Sequence, residues 1–167
     1  MMSEAGHIHT AYFSLGSNLG DRADNLGRCI HLISKNIGTV SKRSGIYESE
    51  PWGYESENYF YNLCIEVKTA LKPLDLLKNI IRIERRSGRR RSGSGYADRV
   101  IDIDLLFFDH VVLETPRLIL PHPGIPHRKF VLMPLAEIVP GFVHPVLKKP
   151  VAEILEETDD KSMPVRI

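Results

Sequence analysis

The run Val100–Phe108 (VIDIDLLFF) constrains the fold more than any other stretch of the chain. It is rich in the β-branched and aromatic residues that suit a pleated strand, and along a strand side chains alternate between two faces. Ile101, Ile103, Leu105 and Phe107 then share one face, which reads as core. Asp102 and Asp104 share the other face with Val100, Leu106 and Phe108, and stand roughly 6–7 Å apart along the strand. Two carboxylates in a partly apolar setting repel each other and lose hydration unless a cation compensates them. Magnesium suits such a pair, because it binds a few carboxylates together with water and substrate phosphates. A two-metal site, with ions about 3.5–4 Å apart, can be held by both groups. An isolated Asp-x-Asp more often marks a solvated strand face paired to arginines, so the neighbouring segments decide.

Those neighbours are basic. Between Arg82 and Arg99 lie Arg85, Arg86, Arg89, Arg90 and Arg91, opposed only by Glu84 and Asp98. A guanidinium presents a planar fork of donors suited to phosphate oxygens. The glycines and serines of Arg89–Tyr96 (RRRSGSGY) are expected to form a mobile loop able to close over a polyphosphate. Such a loop just ahead of a metal-binding strand points to phosphoryl transfer; a basic solvent loop or a nucleic-acid contact is the other reading. A third cluster, Leu120–Leu135 (LPHPGIPHRKFVLMPL), holds His122 and Arg128 as phosphate donors and Phe130 as an aromatic face. Residues of these types are usually structural when met alone, and they inform only together with the other two clusters. The formal net charge of +1 argues against a polycation built to coat nucleic acid.

At 167 residues the chain is expected to form a single domain over 1–167, with residues 1–10 frayed. His7 and His9 fall on that terminus and carry little weight as a metal pair. Ala11–Leu15 reads as a strand, followed by a turn at Gly16–Gly20 and a helix capped by Asp21, with Leu26, Ile30, Ile33 and Ile37 at helical spacing. Val40–Glu50 and Tyr59–Thr69 read as strands. Pro73 opens a second helix, Leu74 to Arg86, with Leu74, Leu77 and Ile81 on one face. Short helices are expected near Pro134–Ile138 and Val151–Glu157. The order strand, helix, strand, strand, helix, strand predicts an α+β ferredoxin-like sandwich, with a mainly antiparallel sheet and flanking helices. Cys29 and Cys64 read as reduced core thiols, no apolar run approaches the roughly 18 residues that span a bilayer, and the start lacks a secretory pattern. A cytoplasmic location is expected.

Four stretches together resemble the 6-hydroxymethyl-7,8-dihydropterin pyrophosphokinase family. They are Gly16-Ser17-Asn18-Leu19-Gly20; Arg82-Ile83-Glu84 with Gly88-Arg89-Arg90-Arg91; Arg99-Val100-Ile101-Asp102-Ile103-Asp104-Leu105-Leu106; and Pro121-His122 with Arg128–Leu135. The resemblance runs from Ala11 to Ala152 in the family's order and spacing. It implies an ATP-dependent diphosphotransferase that moves pyrophosphate from ATP to the pterin hydroxymethyl group and releases AMP, in folate synthesis. It further implies two Mg²⁺ ions on Asp102 and Asp104, with Arg89 and Arg91 clamping the phosphates. Glu84, Arg99, Leu105, Leu118, Ile119, His122 and Arg128 would line the ATP site. The pterin would stack between Phe60 and Phe130, read by Asn62 and by backbone at Ser49, Pro51 and Trp52. The partners implied are thus small molecules, with no nucleic acid and no membrane.

The chain departs from the family pattern at Ile81, often glutamine, at Tyr96, often tryptophan, and at Asp98, often proline. Asp98 would add negative charge beside the phosphates unless it points outward or pairs with an arginine. The rival functions are a nucleic-acid-binding module of ferredoxin-like fold, and a diverged homologue that binds ATP or pterin without this chemistry.

Overall fold

The computed structural model describes residues 6–88 and 96–167. Strand β4 (Phe60–Thr69) forms the middle of the sheet, because it has partners along both edges. On one side it pairs antiparallel with β1 (His9–Ser17), in register Gly16↔Asn62. On the other it pairs with β2 (Thr39–Arg43) and then β3 (Tyr47–Ser49). Strand β5 (Asp102–Phe108) extends the sheet beyond β1, and β8 (Val165–Arg166) extends it beyond β3. The expected single strand Val40–Glu50 is therefore two. At the break, Ser44 donates its N–H to Cys64 C=O and accepts the Cys64 N–H on its hydroxyl, so a side chain replaces one ladder bond.

Helices cover both faces. Helix α1 (Arg22–Asn36) starts where Asp21 accepts the Asp24 N–H, a side-chain cap of the kind the sequence signals. With α2 (Pro73–Arg86) it buries Leu26, Cys29, Ile33, Leu76, Ile80 and Ile83 against Phe13, Leu15, Leu63 and Ile65. The buried stripe of α2 is thus not the expected Leu74, Leu77 and Ile81; Leu74 is 49% exposed. The helix carries two adjacent apolar stripes, and the sheet takes the one that also contains Glu84. On the opposite face, α3 (Lys129–Ile138) and α4 (Val151–Glu157) pack Val131, Leu132, Leu135, Val151 and Ile154 on Tyr12, Cys64, Leu106 and Phe107. Helix α3 begins five residues before the expected Pro134, and Asp160 holds its start by accepting the Lys129 N–H. Both cysteines are buried free thiols.

Strict alternation fails near the end of β5. Phe13 lies opposite Leu105 but Tyr12 lies opposite Phe107, so Leu106 is an extra residue. This bulge turns Phe107 toward α3 and α4, and returns Phe108 to the core with Ile103 and Leu105. The expected faces of Phe107 and Phe108 are thereby exchanged, while Asp102 and Asp104, which precede the bulge, keep theirs. Residues 9 and 10, expected to fray, belong to β1, where His9 pairs with Thr69 and Thr10 with Lys68. A hairpin of β6 (Leu113–Glu114) and β7 (Ile119–Leu120) follows β5. The architecture is the expected ferredoxin-like α+β sandwich, with α3 and α4 added on the second face. Among the described residues no helix is long and apolar enough to cross a membrane.

Candidate active site

Strand β5 places its two acids against the small residues of β1: Asp102 lies opposite Gly16 and Asp104 opposite Ser14. Their side chains keep 26% and 31% of their surface exposed, so they are partly desolvated yet reachable. Arg99 Nη1 sits 3.2 Å from Asp102 Oδ1, and His122 Nε2 sits 3.8 Å from Asp104 Oδ1. Burial, with the Arg128 charge adding to it and Asp102 opposing, pushes the His122 imidazole down to about 4. The ring is therefore neutral at pH 7. Its Nδ1 accepts the Gly124 N–H at 2.9 Å, which leaves the proton on Nε2, the atom turned toward Asp104. Beneath the pair, buried Glu84 accepts the Ile103 N–H at 3.0 Å and so satisfies a donor on this edge strand. Glu84 supports β5 from behind and lines neither of the two cavities that flank the acids.

One cavity opens on the α3 side of the acids and carries aromatic rings in its wall. Ser49, Trp52, Phe60, Asn62 and Phe130, all expected pterin contacts, line it, and Pro51 does not. Gly16 makes room for two of them. A Cβ there would lie 3.0 Å from Asn62 Oδ1 and 3.5 Å from the Phe60 ring. The Asn62 amide is held by donating to Ser49 Oγ at 2.7 Å. Arg128 spans the mouth, its guanidinium 4.6 Å from the Trp52 ring centre and 6.0 Å from that of Phe130. Its Nε is buried with no hydrogen-bond partner among the described residues. A cationic donor left in that state is costly. Tyr54 and Tyr96 also line the cavity, and were not among the expected contacts. Tyr96 stands at the tryptophan position and rests on Gly53, whose φ of +83° brings the backbone beneath the ring.

A second cavity lies around the outer edge of β5, between α2 and the β6–β7 hairpin. Leu105, Leu118, Ile119 and His122, four of the expected nucleotide contacts, line it together with Leu77 and Ile81. The helix stripe assigned to the core from its spacing is in part this wall. Arg99 and Arg128 belong to the aromatic cavity instead. Arg89 and Arg91 lie outside the described residues. Asp104 lines both cavities and is the one described residue that does.

Asp98 does not point outward, and among the described residues its carboxylate meets neutral donors and no arginine. Its Oδ1 accepts from Asn18 Nδ2 at 2.8 Å and Tyr54 Oη at 2.9 Å, and its Oδ2 from Ser56 Oγ at 3.0 Å and Asn58 Nδ2 at 2.7 Å. Burial alone would raise this carboxyl, but the bonds from Asn58, Ser56, Tyr54 and Asn18 outweigh it and hold the group below the usual carboxylate range. Asn18 in turn accepts the Arg99 N–H at 2.7 Å and donates its own N–H to Arg99 C=O at 3.1 Å. One carboxylate thus ties the β1–α1 turn and the loop over 50–58 to the residue that touches Asp102.

The 7,8-dihydro-6-hydroxymethylpterin-pyrophosphokinase family model matches residues 12–140. Relatives named 2-amino-4-hydroxy-6-hydroxymethyldihydropteridine pyrophosphokinase include one from Bacillus subtilis, 44% identical over 129 residues and covering 77% of each chain. Another, from Aquifex aeolicus, is 37% identical over 148 residues, covering 89% of this chain and 91% of the relative. A crystal structure of Plasmodium falciparum HPPK-DHPS superposes with a TM-score of 0.74 over 93% of this chain, at 22% identity, and carries likeness of fold alone. The chain spans 45% of that longer protein. A family match over most of the length, with the acid pair, the aromatic cavity and the edge slot in place, leads to one conclusion: this chain belongs to the 7,8-dihydro-6-hydroxymethylpterin-pyrophosphokinase family.

Proposed function

We propose that the chain, acting as one domain over 1–167 in the cytoplasm, transfers pyrophosphate from ATP to the hydroxymethyl group of 6-hydroxymethyl-7,8-dihydropterin. AMP leaves, and the product enters folate synthesis. The observation that carries this reading is that Asp104 lies where an aromatic cavity and an aliphatic slot meet. A flat heterocycle and a nucleotide would so be presented to each other across the acid pair. The pterin ring would stack on Phe60 and Phe130, with the Asn62 amide reading its edge. Adenine would fill the slot among Leu105, Leu118 and Ile119, where Ile81 supplies apolar surface in place of a polar contact.

The donor set fits magnesium. Asp102 and Asp104 offer hard carboxylate oxygens, partly exposed and on one face of a strand, to a hard cation that keeps waters and phosphate oxygens as its other ligands. Two Mg²⁺ ions held there would neutralise phosphate charge and that developing on the departing AMP oxygen. Arg99 and Arg128, fixed by Asn18 and by the Trp52 ring, would hold phosphate oxygens from the pterin side. His122 would donate its Nε2–H from the nucleotide side, and Arg89 and Arg91 would clamp the phosphates. Direct in-line attack by the pterin hydroxyl needs no covalent enzyme intermediate, since positioning and electrostatics carry most phosphoryl-transfer catalysis. Mass spectrometry of the pterin after incubation with ATP and magnesium tests the proposal. A pterin carrying two added phosphates is expected, and an unmodified pterin would overturn it.

A further inference from the structure

The other end of strand β5 carries a second group of metal-ligating side chains, which the proposed reaction does not use. His7, His9 and Asp109 each turn one ligand atom into a common space, with all of these atoms within 4.8 Å of one another. His9 opens β1 and His7 lies two residues ahead of it, a spacing that puts both rings on one face of an extended chain. Asp109 comes from the turn directly after β5. Its backbone sits at φ +47°, and its N–H donates to Thr10 C=O at 2.8 Å. Its Oδ1 accepts the Thr10 N–H at 2.8 Å, so one carboxylate oxygen is tied back and Oδ2 is aimed at the histidines. That Oδ2 lies 2.6 Å from His9 Nδ1. The His9 ring is braced by Phe108, with centroids 4.6 Å apart, and the His7 ring meets it edge-on at 4.7 Å.

We infer that His7, His9 and Asp109 form a binding site for one zinc-class transition-metal ion, structural in role and separate from the acid pair. The two imidazole nitrogens are borderline donors, which with one carboxylate oxygen suit Zn²⁺ and disfavour Mg²⁺. Ligands at about 2.0–2.2 Å from a tetrahedral zinc stand roughly 3.3–3.5 Å from each other. Modest ring rotations in exposed His7 and part-exposed His9 bring the observed group to that spacing. The hydrogen bond from Thr10 holds the carboxylate from behind, as an outer partner does in metal sites. Asp109 lies five positions along the chain from Asp104, roughly 16 Å of extended strand, so an ion here cannot reach the transferring phosphates. It would instead pin the start of β1 to the β5–β6 turn.

The test uses the full-length chain without an affinity tag, stripped with chelator and kept in excess Mg²⁺ so that hard oxygen sites are filled. Co²⁺ titration followed by visible absorption should show one equivalent with a low-symmetry band that Zn²⁺ displaces, and Zn²⁺ should raise the thermal midpoint. His7→Ala, at an exposed residue that the fold does not need, should weaken Zn²⁺ at least about tenfold while pyrophosphokinase turnover stays at the wild-type rate. Wild-type affinity in His7→Ala, or no stoichiometric Co²⁺ band in the wild-type chain, would overturn the inference. Either result is read from metal binding and leaves the proposed reaction untouched.

Discussion

Asp98→Ala would remove an acceptor shared by four donors. The Asn58 bond is exposed and counts for little, whereas those from Asn18, Tyr54 and Ser56 are part-buried. At about 1 kcal/mol net for each part-buried bond the loss would reach about 3 kcal/mol if the donors were stranded. Water can reach this half-open network, so we expect about 2 kcal/mol. For a chain of this size that is a fall in Tm of about 4–8 °C. Asp98→Asn keeps the Oδ1 acceptor but turns an amide NH₂ toward Ser56 and Asn58, and should lose about half as much. The carboxyl is held below its unfolded value, so its contribution is full above pH about 4 and fades as the pH falls through the lower folded value. The Tm gap between wild type and Asp98→Ala should narrow in acid accordingly. Because the network ties down the loop bearing Trp52 and Tyr54, KM for the pterin should rise several-fold while that for ATP moves less. Scanning calorimetry across pH, with steady-state kinetics on both substrates, makes the comparison. A Tm within 1 °C of wild type and an unchanged pterin KM would refute the clasp.

Three further outcomes are expected. Asp102→Ala and Asp104→Ala should each lower turnover more than about a hundredfold, and a value within about tenfold of wild type would remove the metal role assigned to that residue. Phe130→Ala should weaken pterin binding by roughly tenfold, as the loss of one stacked face implies, and spare nucleotide affinity; an equilibrium titration of each ligand separates the two. Arg89→Ala and Arg91→Ala should slow single-turnover chemistry more than they weaken ATP binding, because a closing clamp acts chiefly in the transition state. Weaker ATP binding with an unchanged maximal rate would contradict that assignment.

The acid pair was legible because a strand's period of two leaves no freedom. Once VIDIDLLFF is a strand, Asp102 and Asp104 must share a face. The far end of the same strand was not legible, because a bulge depends on the register with β1 and shows in no local pattern, so Phe107 and Phe108 exchanged places. Helix α2 misled for a related reason. Leu74, Leu77 and Ile81 form a proper helical stripe, but so do Leu76, Ile80 and Ile83, and only the sheet decides between them. The stripe left out of the core is put to use elsewhere, with Leu77 and Ile81 forming the wall of the edge slot. Asp98 was visible as an odd charge, yet its donors come from Asn18, Tyr54, Ser56 and Asn58, far along the chain. The His7 and His9 pair looked idle because Asp109, its third member, lies a hundred residues away from His9 and meets it only through the β1–β5 pairing.

The most direct test is to separate the nucleotides formed when the chain is incubated with ATP, magnesium and 6-hydroxymethyl-7,8-dihydropterin, with each component omitted in turn. Pyrophosphoryl transfer across Asp104 predicts AMP, equal in amount to the pterin consumed and formed only when all components are present. ADP as the product would mean transfer of a single phosphate, and no nucleotide conversion would mean that the two cavities bind ligands without this chemistry; either result would contradict the proposed reaction.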